Sequence, residues 1–166
     1  EEVSTLVLLQ AIRERVEVPL IAAGGIIDGR GMAAAFALGA EGIQMGTRFV
    51  SCNESPVHAH YKQAIVQAGA TGTWVLNTKS TPCIRALKTQ FTAAIHEQGL
   101  MPADAFKGIR SVYFGGDMEA APALAGQSAG LIHELKSAQA IIDDTVAEFF
   151  AITRRLGALG GDGSFG

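Results

Sequence analysis

The chain has 166 residues, 48% of them hydrophobic and 17% charged, with a formal net charge of −3 and a pI near 5.8. That length gives room for one sizeable core, and the acidic balance excludes the broad basic face that nucleic-acid binding needs, so any anion site must be local. No apolar run approaches the roughly 20 residues that cross a bilayer, and the two cysteines, Cys52 and Cys83, are too few for a disulfide framework and lack metal-ligand spacing, which points to a reducing cytoplasm with both thiols free and buried.

In chain order, the first predicted element is a helix capped by Ser4 or Thr5, with Leu6, Leu9, Ile12 and Val16 along one face. Pro19–Ala23 (PLIAA) reads as a short strand buried on both faces, ended by Gly24-Gly25, a pair that turns sharply and brings peptide N–H groups close to a ligand. A helix follows over about Gly29–Leu38, capped by Asp28 and stopped by Gly39, and its positive N-terminal end is predicted to point back at the turn. EGIQMGTRFV repeats the arrangement as a second apolar strand, with Gly46-Thr47 offering amides and a hydroxyl. A phosphate group is the natural ligand for two such turns side by side. Parallel strands joined by helices require covered faces and edges, so the expectation is a piece of a larger α/β domain.

Beyond Val50, Ser55 and Pro56 open a helix that Gly69 closes. From Ala70 the composition shifts: TGTWVLNTKS is β-branched and carries the single Trp, and Thr81-Pro82 is predicted to start a helix, CIRALKTQFTAAIHEQG, ending at Gly99. A short helix near Pro102–Gly108 and an extended SVYF complete an inserted α/β subdomain over residues 70–116. The stretch PALAGQSAGLI follows, and Ser137 caps a long last helix with Ile141, Ile142, Val146, Phe149, Phe150 and Leu156 on its apolar face and Arg154-Arg155 at its end. The predicted organisation is therefore an α/β segment over 1–69, the insert over 70–116, a return to that fold and a last helix over 117–156, and a flexible tail over 157–166.

The residues AAGGIIDGRG and QMGTRF, followed by ESPVHAHYK and later AGQSAGLI, resemble the flavin-dependent nitronate monooxygenase family, also called 2-nitropropane dioxygenases. The related flavin enoyl-acyl-carrier-protein reductases look similar too. The resemblance implies an α/β fold, the C-terminal part of a (β/α)8 TIM barrel holding strands seven and eight, with FMN bound at the C-terminal face and its phosphate between the last two βα turns. Carried onto this sequence, the phosphate contacts fall on Gly24, Gly25, Gln44, Met45, Gly46 and Thr47, with Arg48 as an unneeded helper. For the glycines the alternative is tight packing at strand ends, and for Gln44 and Met45 it is side chains that fill the barrel interior. The family's catalytic histidine lies upstream of the segment matching Glu1. None of His58, His60, His96 or His133 matches it, and all four read as surface or capping residues, His58 being nearest the proposed site in sequence.

The resemblance implies an enzyme that oxidises alkyl nitronates with O2 to carbonyl compounds and nitrite, acting on a small molecule without nucleic acid or membrane and allowing a homo-oligomer. Two alternatives stand beside it: NAD(P)H-dependent reduction of an enoyl thioester on the same cofactor, and a non-catalytic fragment that binds a phosphate ligand. The pairs Glu1-Glu2, Asp143-Asp144 and Arg154-Arg155 read as solvated helix surface, no carboxylate pair has acid/base spacing, and no metal site is predicted. Gln127 and Ser128 either line the cleft or pack the last helix.

Overall fold

The computed structural model describes residues 3–161. Glu1-Glu2 and the tail residues 162–166 lie outside the described residues. The chain divides into two compact units, residues 1–45 with 139–166 and residues 46–138.

In the first unit, α1 (Thr5–Arg13) leads into β1 (Ile21–Ala23), α2 (Gly29–Ala37) and β2 (Gly42–Gln44). The strands pair in parallel with Ile21 opposite Gly42, Ala22 opposite Ile43 and Ala23 opposite Gln44. Leu9, Ala22, Ile26, Ala35 and Ala40 form the core, with Leu20, Leu38, Ile43 and Met45 packed against it. The reading of β1 as buried on both faces is corrected, because Ala22 is buried while Ile21 is 60% exposed. Among the described residues β2 is its single ladder partner. Of the predicted α1 face, Leu9 is buried, whereas Leu6 and Ile12 are exposed.

The last helix, α6 (Ala138–Gly161), runs past Leu156, where the sequence pattern ends it, so residues 157–161 are helical rather than tail and Arg154-Arg155 do not sit at its end. Its packing on α2 is set by Gly29: a Cβ there would lie 2.4 Å from Phe149 N and 2.6 Å from Thr145 O. Phe36 and Phe149 meet beside this approach with ring centroids 5.0 Å apart. Ile141 is buried, while Ile142, Val146, Phe150 and Leu156 are exposed.

The predicted strand over EGIQMGTRFV proves to be only β2 (Gly42–Gln44), and the second unit begins at Gly46, which opens a short helix, α3 (Thr47–Val50). Next, α4 spans Ala59–Gln67, later than the Ser55-Pro56 signal, because His58 is the cap: its Nδ1 accepts from His60 N at 3.1 Å. Gly69 does not end it, since Ala68 already turns the chain to an extended conformation.

The predicted helix from Thr81 is corrected as well. CIRAL contributes β4 (Ile84–Leu87), antiparallel to β3 (Thr73–Leu76), and Leu124 bridges to Ala86 on its other side. The helix, α5 (Gln90–Gln98), starts only at the reciprocal cap in which Thr89 Oγ1 accepts from Thr92 N and Thr92 Oγ1 accepts from Thr89 N. Glu119 extends that cap, accepting from Gln90 N at 3.1 Å and Phe91 N at 2.6 Å. Leu76, Ala86, Ile95 and Ala105 form this unit's core.

Residues 103–108 form consecutive turns rather than a helix. SVYF is not extended: Ser111–Gly115 winds as one π-helical turn, closed by Gly116 at φ +75°, because Val112 is fully buried and the Tyr113 carbonyl accepts from His58 N at 2.6 Å.

Candidate functional site

Gly24 and Gly25 leave β1 with φ of +103° and +77°, a left-handed conformation that side chains resist. A Cβ added at Gly25 or at Gly46 would meet nothing within 4 Å, so packing does not explain glycine at either position. No described residue accepts a hydrogen bond from the peptide N–H of Gly25, Gly46 or Thr47. Since Ala23 stands opposite Gln44, Gly24 and Met45 leave the paired strands at the same end. Each segment by itself thus offers open space beside peptide donors that no described residue uses.

The predicted site residues differ in what their side chains do. Gln44 is exposed at the end of β2, whereas Met45 is partly buried and packs against the first unit's core. Thr47 Oγ1 accepts from Gly126 N at 2.9 Å, a role that fixes the hydroxyl while leaving its proton to donate. Arg48 is corrected from phosphate helper to structural residue: it is buried, and its Nη1 donates to the Glu134 carbonyl at 2.9 Å.

The predicted contribution of the α2 N-terminus is corrected too. Asp28 caps the helix by accepting from Gly31 N at 2.9 Å, as the sequence favours, but Glu148 also accepts from Gly29 N at 2.9 Å. Arg30 Nη2 completes the cluster at 2.7 Å from Asp28 Oδ2, which raises the arginine's pKa through that hydrogen bond first. The helix end is thus already met by the chain's own carboxylates.

In the second unit, a cavity of about 290 Å³ is lined by Gly46, Thr47, Arg85, Tyr113, Leu124 and Gly126, among others. Tyr61 secures one wall: its buried hydroxyl donates to the Leu124 carbonyl at 2.5 Å, and burial drives its phenol pKa upward, with Tyr113 adding to the shift. Edge-on contact links the rings of Tyr61 and Tyr113 at 5.2 Å. Arg85 and Tyr113 are absent from the sequence-based site. Arg85 was hidden by reading CIRAL as helix; as a strand, the same letters put Arg85 on the face opposite Ile84 and Ala86.

Three of the histidines, His58, His60 and His96, hold local structure together. His60 Nδ1 lies 3.1 Å from the Gly116 carbonyl, His96 stacks on Trp74 at 4.7 Å, and His133 is exposed. The AGQSAGL turn places Gly126 in the cavity wall, while its 3-10 segment Gln127–Leu131 contacts α3 and α4, with Ser128 buried and Gln127 exposed. Cys52 is buried as expected, but Cys83 is exposed. Among the described residues no three His, Cys, Asp or Glu side chains group to hold a metal ion, and no helix is long and apolar enough to cross a membrane.

These features define an α/β protein with peptide donors exposed at one end of a parallel strand pair. Residues 1–148 match the family described as nitronate monooxygenase, and the chain belongs to that family. It is 36% identical over 145 residues to a nitronate monooxygenase of Pseudomonas aeruginosa, covering 82% of this chain and 41% of that protein. Among solved structures, FabK from Thermotoga maritima superposes with a TM-score of 0.89 at 44% identity, covering 96% of this chain and 53% of that one. Nitroalkane oxidase from Streptomyces ansochromogenes superposes with a TM-score of 0.79 at 26% identity, covering 93% and 46% respectively. The chain therefore spans about half the length, or less, of these relatives.

Proposed function

We propose that this chain is the C-terminal part of an FMN-dependent nitronate monooxygenase, acting in the cytoplasm on alkyl nitronates and O2. In this reading β1 and β2 are strands seven and eight of a (β/α)8 barrel. The cofactor's phosphate is held by peptide groups of Gly24 and Gly25 and of the run Gln44, Met45, Gly46 and Thr47. Bound FMN would supply the electron transfer that takes a nitronate and O2 to a carbonyl compound and nitrite. The chain's own residues bind and orient: the turn amides anchor the phosphate, the Thr47 hydroxyl adds a donor, and residues 70–116 lend Arg85 and Tyr113 to the substrate cavity.

The observation that carries the reading is the set of peptide N–H groups at Gly25, Gly46 and Thr47 that no described residue accepts, in a chain of this family. Fluorescence titration of the intact protein with FMN and with riboflavin tests it. A phosphate gripped by several amides should favour FMN by about a hundredfold or more, from net contributions of about 1 kcal/mol per hydrogen bond, and Gly25→Val should cut the preference by about fivefold or more. Equal affinity for the two flavins removes the phosphate site. Equal affinity for FMN and unrelated phosphate esters favours a phosphate-binding fragment instead.

A second reading has support in the greater likeness to FabK than to nitroalkane oxidase, 44% against 26% identity. It is NAD(P)H-dependent reduction of an enoyl thioester on the same cofactor site. Rapid anaerobic bleaching of the flavin by NADH selects it over the oxidase chemistry.

A further inference from the structure

Arg85 lies on β4 opposite Val75, with Thr73 across the ladder from Leu87 on the same face. Its neighbours Ile84 and Ala86 belong instead to the core around Leu76 and Ile95. The guanidinium Nη1 donates to Thr73 Oγ1 at 3.1 Å, and no carboxylate among the described residues pairs with Arg85. The side chain is half-buried and lines the cavity of about 290 Å³ beside Tyr113, Leu124 and Gly126.

Other sheltered cations in this unit meet carbonyl oxygens: Arg48 donates to Glu134 O and Lys62 to Asn53 O. Among the described residues the Arg85 side chain meets one acceptor, the Thr73 hydroxyl. A guanidinium carries five N–H donors in a fixed fork, and the Thr73 hydroxyl takes one of them, which leaves donors of Arg85 for an acceptor that enters the cavity. The fork matches two coplanar oxygens on one atom better than a spherical ion or a single hydroxyl.

We propose that Arg85 is a substrate-binding residue that grips a planar two-oxygen anion entering this cavity. Resting on the nitronate reading above, that anion is either the nitronate group itself or a carboxylate carried on the nitronate's chain. Both present the same pair of coplanar oxygens. The role is binding and specificity, with no covalent or redox step assigned to Arg85.

Two measurements test it. In the first, NMR follows the Arg85 Nε–Hε signal as the wild-type protein is titrated with nitrate, propionate, chloride or uncharged 1-nitropropane. Nitrate and propionate should saturate the site, and chloride and 1-nitropropane should not. Nitrate affinity, read from neighbouring amide signals, should fall about tenfold to a hundredfold in Arg85→Met, the loss expected for a charge-assisted pair, and by an intermediate factor in Arg85→Lys, which keeps the charge but not the fork. If Arg85→Met does not fold, Arg85→Lys and Arg85→Gln carry the comparison. Chloride binding as tightly as nitrate, or nitrate affinity unchanged in the folded variants, overturns the proposal.

In the second, the flavin-loaded full-length protein is assayed with propyl-1-nitronate and with the nitronate of 3-nitropropionate. A KM raised about tenfold in Arg85→Lys for both substrates, with kcat little changed, assigns the fork to the nitronate group. A rise for the second alone assigns it to the carboxylate, and unchanged KM for both overturns the proposal. A protein inert towards nitronates whose nitrate binding still depends on Arg85 removes the proposed reaction and leaves the anion site standing.

Discussion

Replacing Gly29 by alanine probes how α2 is seated on α6. The added Cβ would lie 2.4 Å from Phe149 N, 2.6 Å from Thr145 O and 2.7 Å from Glu148 Cβ. Non-bonded heavy atoms settle near about 3.5–4.0 Å, so one helix must retreat by about 1 Å. Two of the three obstacles are backbone atoms, which cannot swing aside as a side chain would. The retreat strains the 2.9 Å hydrogen bond from Gly29 N to Glu148 Oε2 and parts the Phe36–Phe149 rings, now 5.0 Å apart. A hydrogen bond to a charged group contributes about 1.5–3 kcal/mol, an aromatic pair about 0.5–1.5 kcal/mol, and overpacking costs about 1–3 kcal/mol. These describe one displacement and overlap, and alanine returns up to about 1 kcal/mol of helix propensity. The expected net loss is about 2 kcal/mol. With a urea slope of about 1–3 kcal/mol/M, the unfolding midpoint drops by about 1 M. Gly157→Ala on α6 is the control: its Cβ meets nothing within 4 Å, and it should raise stability by up to about 1 kcal/mol. A midpoint for Gly29→Ala equal to or above that of the wild type would refute the backbone-contact argument.

Tyr61→Phe keeps the ring but removes the 2.5 Å hydrogen bond to the Leu124 carbonyl, so unfolding by urea should show a loss of about 1–3 kcal/mol for the stranded acceptor; unchanged stability would mean that solvent already reaches that carbonyl. Glu54 accepts from Ala138 N at 2.8 Å, and that backbone hydrogen bond is the first cause of its lowered pKa. A folded value below the ordinary 4.5 means that the contact stabilises the start of α6 above that pH and is lost as pH falls through the lowered value. The Ala138 amide shift, followed by NMR, should therefore titrate with a midpoint below 4.5 and lose that step in Glu54→Gln; a midpoint at or above the ordinary value would contradict the assigned bond.

Much of the first unit was legible because its signals are local. The apolar run before Gly24-Gly25, the Asp28 cap and the Gly39 stop each depend on residues within one turn of where they act. Cys83-Ile-Arg-Ala-Leu was misread because helix and strand patterns coincide over a short apolar run. What decided it was non-local: pairing with Trp74-Val75 on one side and Leu124 on the other. The helix start three residues later did leave a sequence mark, Thr89 and Thr92 at capping-box spacing, which the earlier Thr81-Pro82 signal outranked. Arg85 was lost with that misreading. Glu148 could not have been placed by any local rule, since its partner Gly29 is 119 residues away.

The Glu148 contact changes what kind of anion site the first unit can offer. A helix end with free amides attracts negative charge through its macrodipole, whatever the shape of the anion. Here Gly29 N and Gly31 N are both committed to carboxylates, and two negative side chains balanced by Arg30 now stand where that field would emerge. The attraction left at Gly24-Gly25 comes from peptide N–H groups alone, uncharged dipoles whose pull depends on direction and is short in range. Their direction is set by φ values of +103° and +77°, which a side chain at either position would oppose. Recognition by such a turn discriminates by the placement of oxygens around the anion, which suits a phosphate ester delivered by a larger ligand better than free ions drawn from solution.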